Sequence, residues 1–193
     1  MSILVLTSDT LIGTPATGNI EYNGQFFGTD SNASRAQLQR ITQGTAVAST
    51  SGTSIDFTGL PAWVKRVTVM YNNVSTNGTS PWLIQLGDSG GIENTGYLGG
   101  SGDRGGEGAS TAGFEIVYSP ASASAYSGIA TIALVDTSNS WVISGVVAIN
   151  ASGQPKFFAG SKQTSATLDR IRLTTVNGTD TFDAGSVNLL WEG

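Results

Sequence analysis

The chain has 193 residues, of which 39% are hydrophobic and only 12% are charged, and its formal net charge is −5. Its 9 Lys and Arg residues form no basic stripe, so we predict no nucleic-acid partner, because neutralising a phosphate backbone requires clustered cations. The absence of Cys excludes disulfides and thiolate chemistry, and the absence of His removes the commonest general base and transition-metal ligand.

The first 40 residues are predicted to form a small N-terminal extension. Residues 3–7 read as a strand, but the apolar run is short and lacks a basic flank, so we expect neither a signal peptide nor a membrane span. Residues 20–27 predict a hairpin around Asn23 and Gly24, a pair that suits a type I′ turn. Residues 31–40 are predicted to form one short helix, capped by Ser31 or Asn32.

From residue 41 onward the pattern predicts strands. The clearest stretch is 54–89, where apolar and polar residues alternate in three runs separated by turn signals. Further alternating or apolar runs follow at 114–118, 129–135, 141–149, 156–161 and 167–173, and at the C-terminus. About ten strands with turns between them predict an all-β, antiparallel sandwich or barrel in a domain of residues 41–193.

The aromatic residues separate into core and surface candidates. Trp82, Trp141 and Trp191 lie on alternating apolar rows, so we predict that they belong to the core. Trp63 lies beside Pro61 at the start of a strand and is predicted to be the most exposed tryptophan, where it could stack on a sugar ring.

Residues 87–91 read GDSGG, the sequence around the nucleophile of trypsin-like serine proteases. That chemistry needs a His base, which the chain lacks, so we predict no catalytic residue. Nor does any carboxylate pair lie in a recognisable glycosidase frame. The acidic residues of the Gly-rich region match no calcium-binding loop, so we predict solvated charges there, with no metal site and no cofactor.

Several long segments resemble a segment common in tailed-bacteriophage and prophage virion proteins. They are residues 53–61 (TSIDFTGLP), 64–69 (VKRVTV), 83–93 (LIQLGDSGGIE), 168–175 (LDRIRLTT) and 177–192 (NGTDTFDAGSVNLLWE). Residues 18–24, before an aromatic pair, resemble the start of phage fibre proteins more weakly. The resemblance implies a virion structural protein of the tail-fibre, head-fibre or capsid-decoration type. The implied protein is non-enzymatic and jelly-roll-like, and is usually a homotrimer that reaches the virion without a leader.

Within that interpretation, residues 1–40 are expected to attach the protein to other virion proteins or to oligomerise it. Residues 41–193 are expected to form the jelly-roll-like head, with a host surface glycan as a further partner. Residues 87–113 are the predicted displayed loop, because long Gly-rich loops adapt to varied ligands. Its predicted contacts are Tyr97, Asp103 and Arg104, with Trp63 as a further ligand-binding candidate.

Two other functions stay open. A carbohydrate-binding β-sandwich module would have the same strand pattern without a virion role. A fibre-borne polysaccharide depolymerase would require a pair of carboxylates about 5–10 Å apart.

Overall fold

A computed structural model describes residues 14, 17–23, 26–32, 34–122 and 124–193. These residues form an all-β structure of antiparallel sheets, which confirms the predicted fold class at that level. The chain divides into two compact units, Met1–Arg40 and Ile41–Gly193. The predicted strand at residues 3–7 lies outside the described residues.

The first unit contains one three-stranded sheet. Its strands are β1 (Ile20–Tyr22), β2 (Phe26–Thr29) and β3 (Arg35–Gln37), paired in that order. Strands β1 and β2 confirm the predicted hairpin, and the rings of Tyr22 and Phe26 stand opposite each other with centroids 5.0 Å apart. Gly24 of the predicted turn lies outside the described residues.

The predicted helix at residues 31–40 is wrong, because β3 occupies its centre. The Oδ1 atom of Asp30 accepts hydrogen bonds from the backbone N–H groups of Asn32 and Ser34, both at 2.9 Å. This local bond turns the chain back towards β2, and short polar side chains compete with helix formation in this way. Leu38 then donates its N–H to the carbonyl of Phe26 at 2.8 Å, so pairing with β2 satisfies the backbone.

The second unit consists of two sheets. In chain order its strands are β4 (Ile41–Gln43), β5 (Val47–Ala48), β6 (Ser54–Thr58), β7 (Arg66–Thr76), β8 (Trp82–Asp88), β9 (Gly91–Ile92), β10 (Leu98–Asp103), β11 (Gly106–Gly108), β12 (Phe114–Val117), β13 (Tyr126–Leu134), β14 (Ser140–Ile149), β15 (Pro155–Gln163), β16 (Arg170–Thr175) and β17 (Phe182–Glu192). The larger sheet has the order β11-β10-β15-β14-β13-β7-β17-β4, with β5 beside β17. The smaller sheet has the order β12-β8-β16-β6, with β9 beside β8.

A single cluster of buried side chains is shared by the two sheets. Val67 and Ile132 contribute to it from the larger sheet, and Ile84 and Leu173 from the smaller one. Trp82 is fully buried and meets the edge of Tyr126 at a centroid distance of 5.1 Å. Burying such side chains contributes roughly 1.5–3 kcal/mol each, so this cluster is the main source of stability for the unit. The core positions predicted for Trp82 and Trp141 are confirmed, and Trp191 packs against the same cluster.

The Gly-rich region is largely strand, so the prediction of one long displayed loop at 87–113 is wrong. It contains β9, β10 and β11, and β10 pairs along Leu98–Gly102 with β15. Glycine has a low intrinsic preference for strands, so only pairing with neighbours makes this stretch β. Gly99 has a φ of 122°, and a Cβ added there would collide with the backbone of Ala159. The close approach of β10 to β15 therefore requires glycine at this position.

Candidate functional site

An open groove of about 740 Å³ lies over the β10–β11 hairpin and the adjoining part of β15. Gly102 pairs with Phe157 on one side and with Glu107 on the other. Directly paired residues share a face of the sheet, so these two side chains flank a position that has none. Gly100, two residues earlier in β10, lies on the same face and extends the floor of the groove. The groove exists because β10 contributes glycines between two larger side chains.

The groove has the size and the chemistry of a small-ligand site. Its volume lies within the range of about 300–1,000 Å³ that is usual for such sites. The ring of Phe157 is 54% exposed and offers a flat apolar surface. Among the described residues, the exposed carboxylate of Glu107 forms no hydrogen bond or ion pair, so it is available to accept hydrogen bonds. An aromatic surface facing a hydrogen-bond acceptor suits a ligand with one apolar face and several hydroxyl groups.

Asp103 holds the hairpin in place and does not face the groove. Its Oδ2 atom pairs with the Lys156 ammonium, and both side chains are only 5% exposed. The Oδ1 atom accepts the N–H of Gly105 at 2.6 Å, and Oδ2 also accepts from Gln154 Nε2 at 3.1 Å. The hydrogen bond from Lys156, followed by that from Gly105, lowers the pKa of Asp103 below its ordinary value. Asp103 is therefore a structural residue, contrary to its predicted role as a surface contact.

Tyr97 is buried, with 1% of its surface exposed, so its predicted role as an aromatic contact with the outside is wrong. Its hydroxyl accepts the N–H of Leu86 at 2.6 Å and donates to the carbonyl of Glu93 at 2.9 Å. The ring stands edge-on to Phe114 at 4.9 Å, and the Lys162 ammonium lies 5.4 Å from the ring centroid. Burial raises the pKa of Tyr97 above its ordinary value. Tyr97 thus fastens the segment before β10 to β8.

The four predicted ligand-binding residues do not come together. Arg104 is exposed at the tip of the β10–β11 hairpin. Trp63 is half-buried against the core and precedes β7. Strand β7 lies four places from β10 in the larger sheet, which is about 19 Å at the usual strand spacing. None of the four lines the groove, and of the four only Arg104 is a fully exposed side chain.

The sequence patterns did not predict Phe157 or Glu107 as ligand-binding residues. Phe157 and Phe158 are consecutive in β15, and consecutive strand residues point to opposite faces. One of the two rings therefore had to face outwards, and this signal could have identified Phe157. No comparable signal marks Glu107, because its position opposite Phe157 depends on the pairing of three strands.

A second surface adjoins the groove. We define the apolar face as the outer side of β10, β15, β14, β13, β7 from Arg66 to Asn72, and β17 from Ser186 to Glu192. Its charged side chains are Arg66 and Glu192, which form an ion pair with each other at one corner. The remaining outer positions are uncharged: most are apolar, glycine, serine or threonine, and Asn72, Asn188 and Gln163 carry amides.

The carboxylates noted in the sequence have structural partners or lie apart. Asp88 accepts hydrogen bonds from Ser165 Oγ at 2.6 Å and from Gly90 N–H at 2.7 Å, and these bonds lower its pKa. The GDSGG motif thereby forms the turn between β8 and β9. Within the described ranges, no group of three or more Asp, Glu, His or Cys residues could hold a metal ion.

Glu115 is a buried carboxyl beneath the hairpin. It accepts a hydrogen bond from Ser101 Oγ at 2.9 Å, and a Cβ added at Gly108 would collide with its carboxyl group. Desolvation raises the pKa of Glu115, and the Ser101 bond opposes that shift only in part. Burial therefore opposes ionisation of the Glu115 carboxyl.

Comparison of the chain with protein-family models, with curated proteins and with solved structures found no match. In the part of the chain that the structure describes, no helix is long and apolar enough to cross a membrane.

Proposed function

We propose that this chain is a bacteriophage virion structural protein, a fibre, tail or capsid-decoration component without enzymatic activity. In this proposal it is a homotrimer located in the virion. The segments that resemble phage virion proteins lie in β6, β7, β8, β16 and β17 and the turns beside them. These are core-forming strands, so the resemblance concerns the scaffold, as is expected for a structural component.

The observation that carries the proposal is the apolar face. A monomer that works alone in water rarely leaves a broad uncharged sheet surface exposed, whereas a component of an assembly covers it with neighbours. The low share of charged residues, 12%, is consistent with a chain of which much surface lies in contacts.

We further propose that residues 41–193 form a jelly-roll-like sandwich. The chain passes repeatedly between the two sheets: β6 belongs to the smaller sheet, β7 to the larger and β8 to the smaller. The same exchange recurs at β12, β13, β16 and β17. Repeated passage between two antiparallel sheets around one core is the organisation of Greek-key and jelly-roll folds.

In this proposal, residues 1–40 attach the protein to other virion proteins. The support is their separation as a compact unit with its own three-stranded sheet. Mass spectrometry of purified particles tests the virion role: the protein should be present at a fixed number of copies per particle. Its absence from particles that are free of host debris would overturn the proposal.

The groove favours an alternative use of this end of the apolar face, in which a glycan binds in place of a neighbouring protein; such binding is compatible with a virion role. Phe157 would stack on a sugar ring and Glu107 would accept hydrogen bonds from its hydroxyl groups. A glycan array probed with the full chain should show binding that Phe157→Ala abolishes. Val176→Ala, which removes a similarly exposed side chain outside this groove, should leave binding unchanged. Equal binding by both variants would exclude the groove as the glycan site.

The same polysaccharides distinguish binding from cleavage. We expect the viscosity of a capsule polysaccharide solution to remain constant at high protein concentration. A fall in viscosity would instead support the depolymerase alternative.

A further inference from the structure

Four apolar side chains of the apolar face are aligned in a row across four strands. Phe157 of β15 lies opposite Val146 of β14, Val146 lies opposite Ile129 of β13, and Ile129 lies opposite Met70 of β7. Ile129 is 51% exposed although it occupies the middle strand of the row. Aligned apolar residues of this kind form a continuous ridge, because paired residues on one face have Cβ atoms about 5 Å apart.

Two further rows lie on the side of this ridge towards Val142, and they carry no charge until the second of them ends in Arg66 and Glu192. One consists of small side chains, and the other begins with Leu98, the most exposed apolar residue of the face at 68%. Across the strands, the row of small side chains contains Gly100, Ala159, Ser144, Thr131 and Thr68. The row that begins with Leu98 continues with Ser161, Val142 and Ala133. The surface is therefore a ridge beside a shallow channel of small residues, a shape that can interlock with a similar surface.

The outer face of the smaller sheet has the opposite character. Arg172 and Asp56 face each other there in a two-bonded ion pair, with N–O distances of 2.6 and 2.8 Å. Gln85 pairs with Arg172 from the other side. This chain thus has one sheet face with an ion pair at its centre and one on which the charged side chains, Arg66 and Glu192, pair with each other at a corner. This difference indicates that the larger sheet presents the face that a neighbouring molecule covers.

The size of the apolar face is sufficient for a specific contact. Six strands about 4.8 Å apart span ~24 Å, and the four rows from Val142 to Ala148 of β14 span ~20 Å, or roughly 500 Å². Two such faces in contact bury roughly 1,000 Å², which is the lower bound for a specific interface between complementary surfaces. A single sugar in the groove would leave Val142, Val146 and Ile129 exposed, so it would not account for the face.

We propose that the apolar face packs against a second copy of this chain. The inference rests on the self-association proposed above and makes it two-fold, because a face that packs against its own copy forms a dimer and not a trimer. Identical chains supply identical uncharged faces, so neither copy has to bury an unpaired charge. Arg104 and Glu107 at the hairpin and the Arg66–Glu192 pair at the opposite corner then form a polar rim around an apolar centre.

The first test measures the size of the full chain by light scattering at micromolar concentration. The unmodified chain should be oligomeric, and Ile129→Glu should be a folded monomer, because its carboxylate would be buried without a partner. Thr58→Glu is the matched control: it adds the same charge to an exposed strand position on the smaller sheet and should remain oligomeric. Ile129→Thr keeps the branched side chain, and we expect it to raise the dissociation constant by about 10-fold.

These outcomes separate the assigned surface from the oligomer itself. A monomeric unmodified chain would overturn both the homo-oligomer and its interface. An oligomer that survives Ile129→Glu, or that Thr58→Glu disrupts equally, would overturn the assigned surface while leaving the oligomer in place. If Ile129→Glu does not fold, Ile129→Thr decides the question, and an unchanged dissociation constant would refute the assignment.

A second test uses the absence of cysteine from the chain. A single cysteine introduced by Ser144→Cys at the centre of the apolar face should react with a maleimide at least about 10-fold more slowly than one introduced by Thr58→Cys. Dilution below the dissociation constant should bring the two rates together. Equal rates in the oligomer would show that the face is open to solvent and would overturn the inference.

Discussion

Replacing tyrosine with phenylalanine should destabilise the protein at one buried position, Tyr97, and not at another, Tyr71. The hydroxyl of Tyr97 accepts the Leu86 N–H and donates to the Glu93 carbonyl. The hydroxyl of Tyr71 is also buried, but it has no hydrogen-bond partner among the described residues. Burial of that unpartnered group raises the pKa of Tyr71 well above its ordinary value. Replacing either residue with Phe removes one oxygen and leaves the ring.

The expected magnitudes follow from the groups left behind. Tyr97→Phe leaves the buried N–H of Leu86 without an acceptor, which costs about 2 kcal/mol of the free energy of unfolding. For a unit of this size the melting temperature should fall by roughly 4–8 °C. Tyr71→Phe removes a hydroxyl that was desolvated without compensation, so the free energy of unfolding should stay constant or rise by up to about 1 kcal/mol.

Urea unfolding followed by tryptophan fluorescence measures both effects. Trp63, Trp82, Trp141 and Trp191 all lie in the second unit, so the signal reports the unfolding of that unit alone. Equal m-values for the variants would show that the unfolded states are comparable. The reasoning would be refuted if both variants lost the same stability, or if Tyr97→Phe changed it by less than about 0.5 kcal/mol.

Three further predictions concern charge and domain organisation. Asp103→Asn should lower the melting temperature more than Asp56→Asn, because the Asp103 ion pair is buried and the Asp56 pair is exposed. Folding lowers the pKa of Asp103, so the loss of stability in Asp103→Asn should become smaller as the pH falls below about 4. Equal melting temperatures for the two variants would contradict this. Glu115→Gln should be more stable than the unmodified chain at pH 7, and the difference should be smaller near pH 4. The reason is that folding raises the pKa of Glu115, so the stability of the unmodified chain falls as the pH rises. A stability difference that does not change with pH would contradict this prediction. Removing residues 1–40 should leave the tryptophan unfolding transition intact while the protein no longer joins particles, and continued assembly would move the attachment role elsewhere.

Prediction from sequence succeeded where the pattern is local and dense. Strands β6, β7 and β8 follow the alternation in residues 54–89, and β14 occupies the predicted run at 141–149 with one added residue. It failed where the local signal was weak or misleading. Strands β10 and β11 were not predicted because they are rich in glycine, and β3 was not predicted because its residues favour helices. In both cases pairing with a neighbouring strand outweighs intrinsic propensity.

For the candidate site, the sequence predicted the segment that borders the groove but not the side chains that line it, and the ligand-binding role itself stays a prediction. The Gly-rich segment does line the groove, yet Tyr97 and Asp103 are buried and paired, and Phe157 and Glu107 flank the floor instead. Which side chains reach a shared surface depends on register. Phe157 lies 50 residues from Glu107 in the chain, and they flank the same glycine only because β10 pairs with both of their strands.

The sequence by itself determined the all-β class, the absence of Cys and His chemistry, and the alternation that places Trp82 and Trp141 in the core. These properties depend on composition and on the two-residue period of a strand, which neighbouring residues set. Only the tertiary structure decided that Phe157, Val146, Ile129 and Met70 align in one exposed row. Their register depends on the pairing of four strands, and the period of two leaves open which face of the sheet remains uncovered.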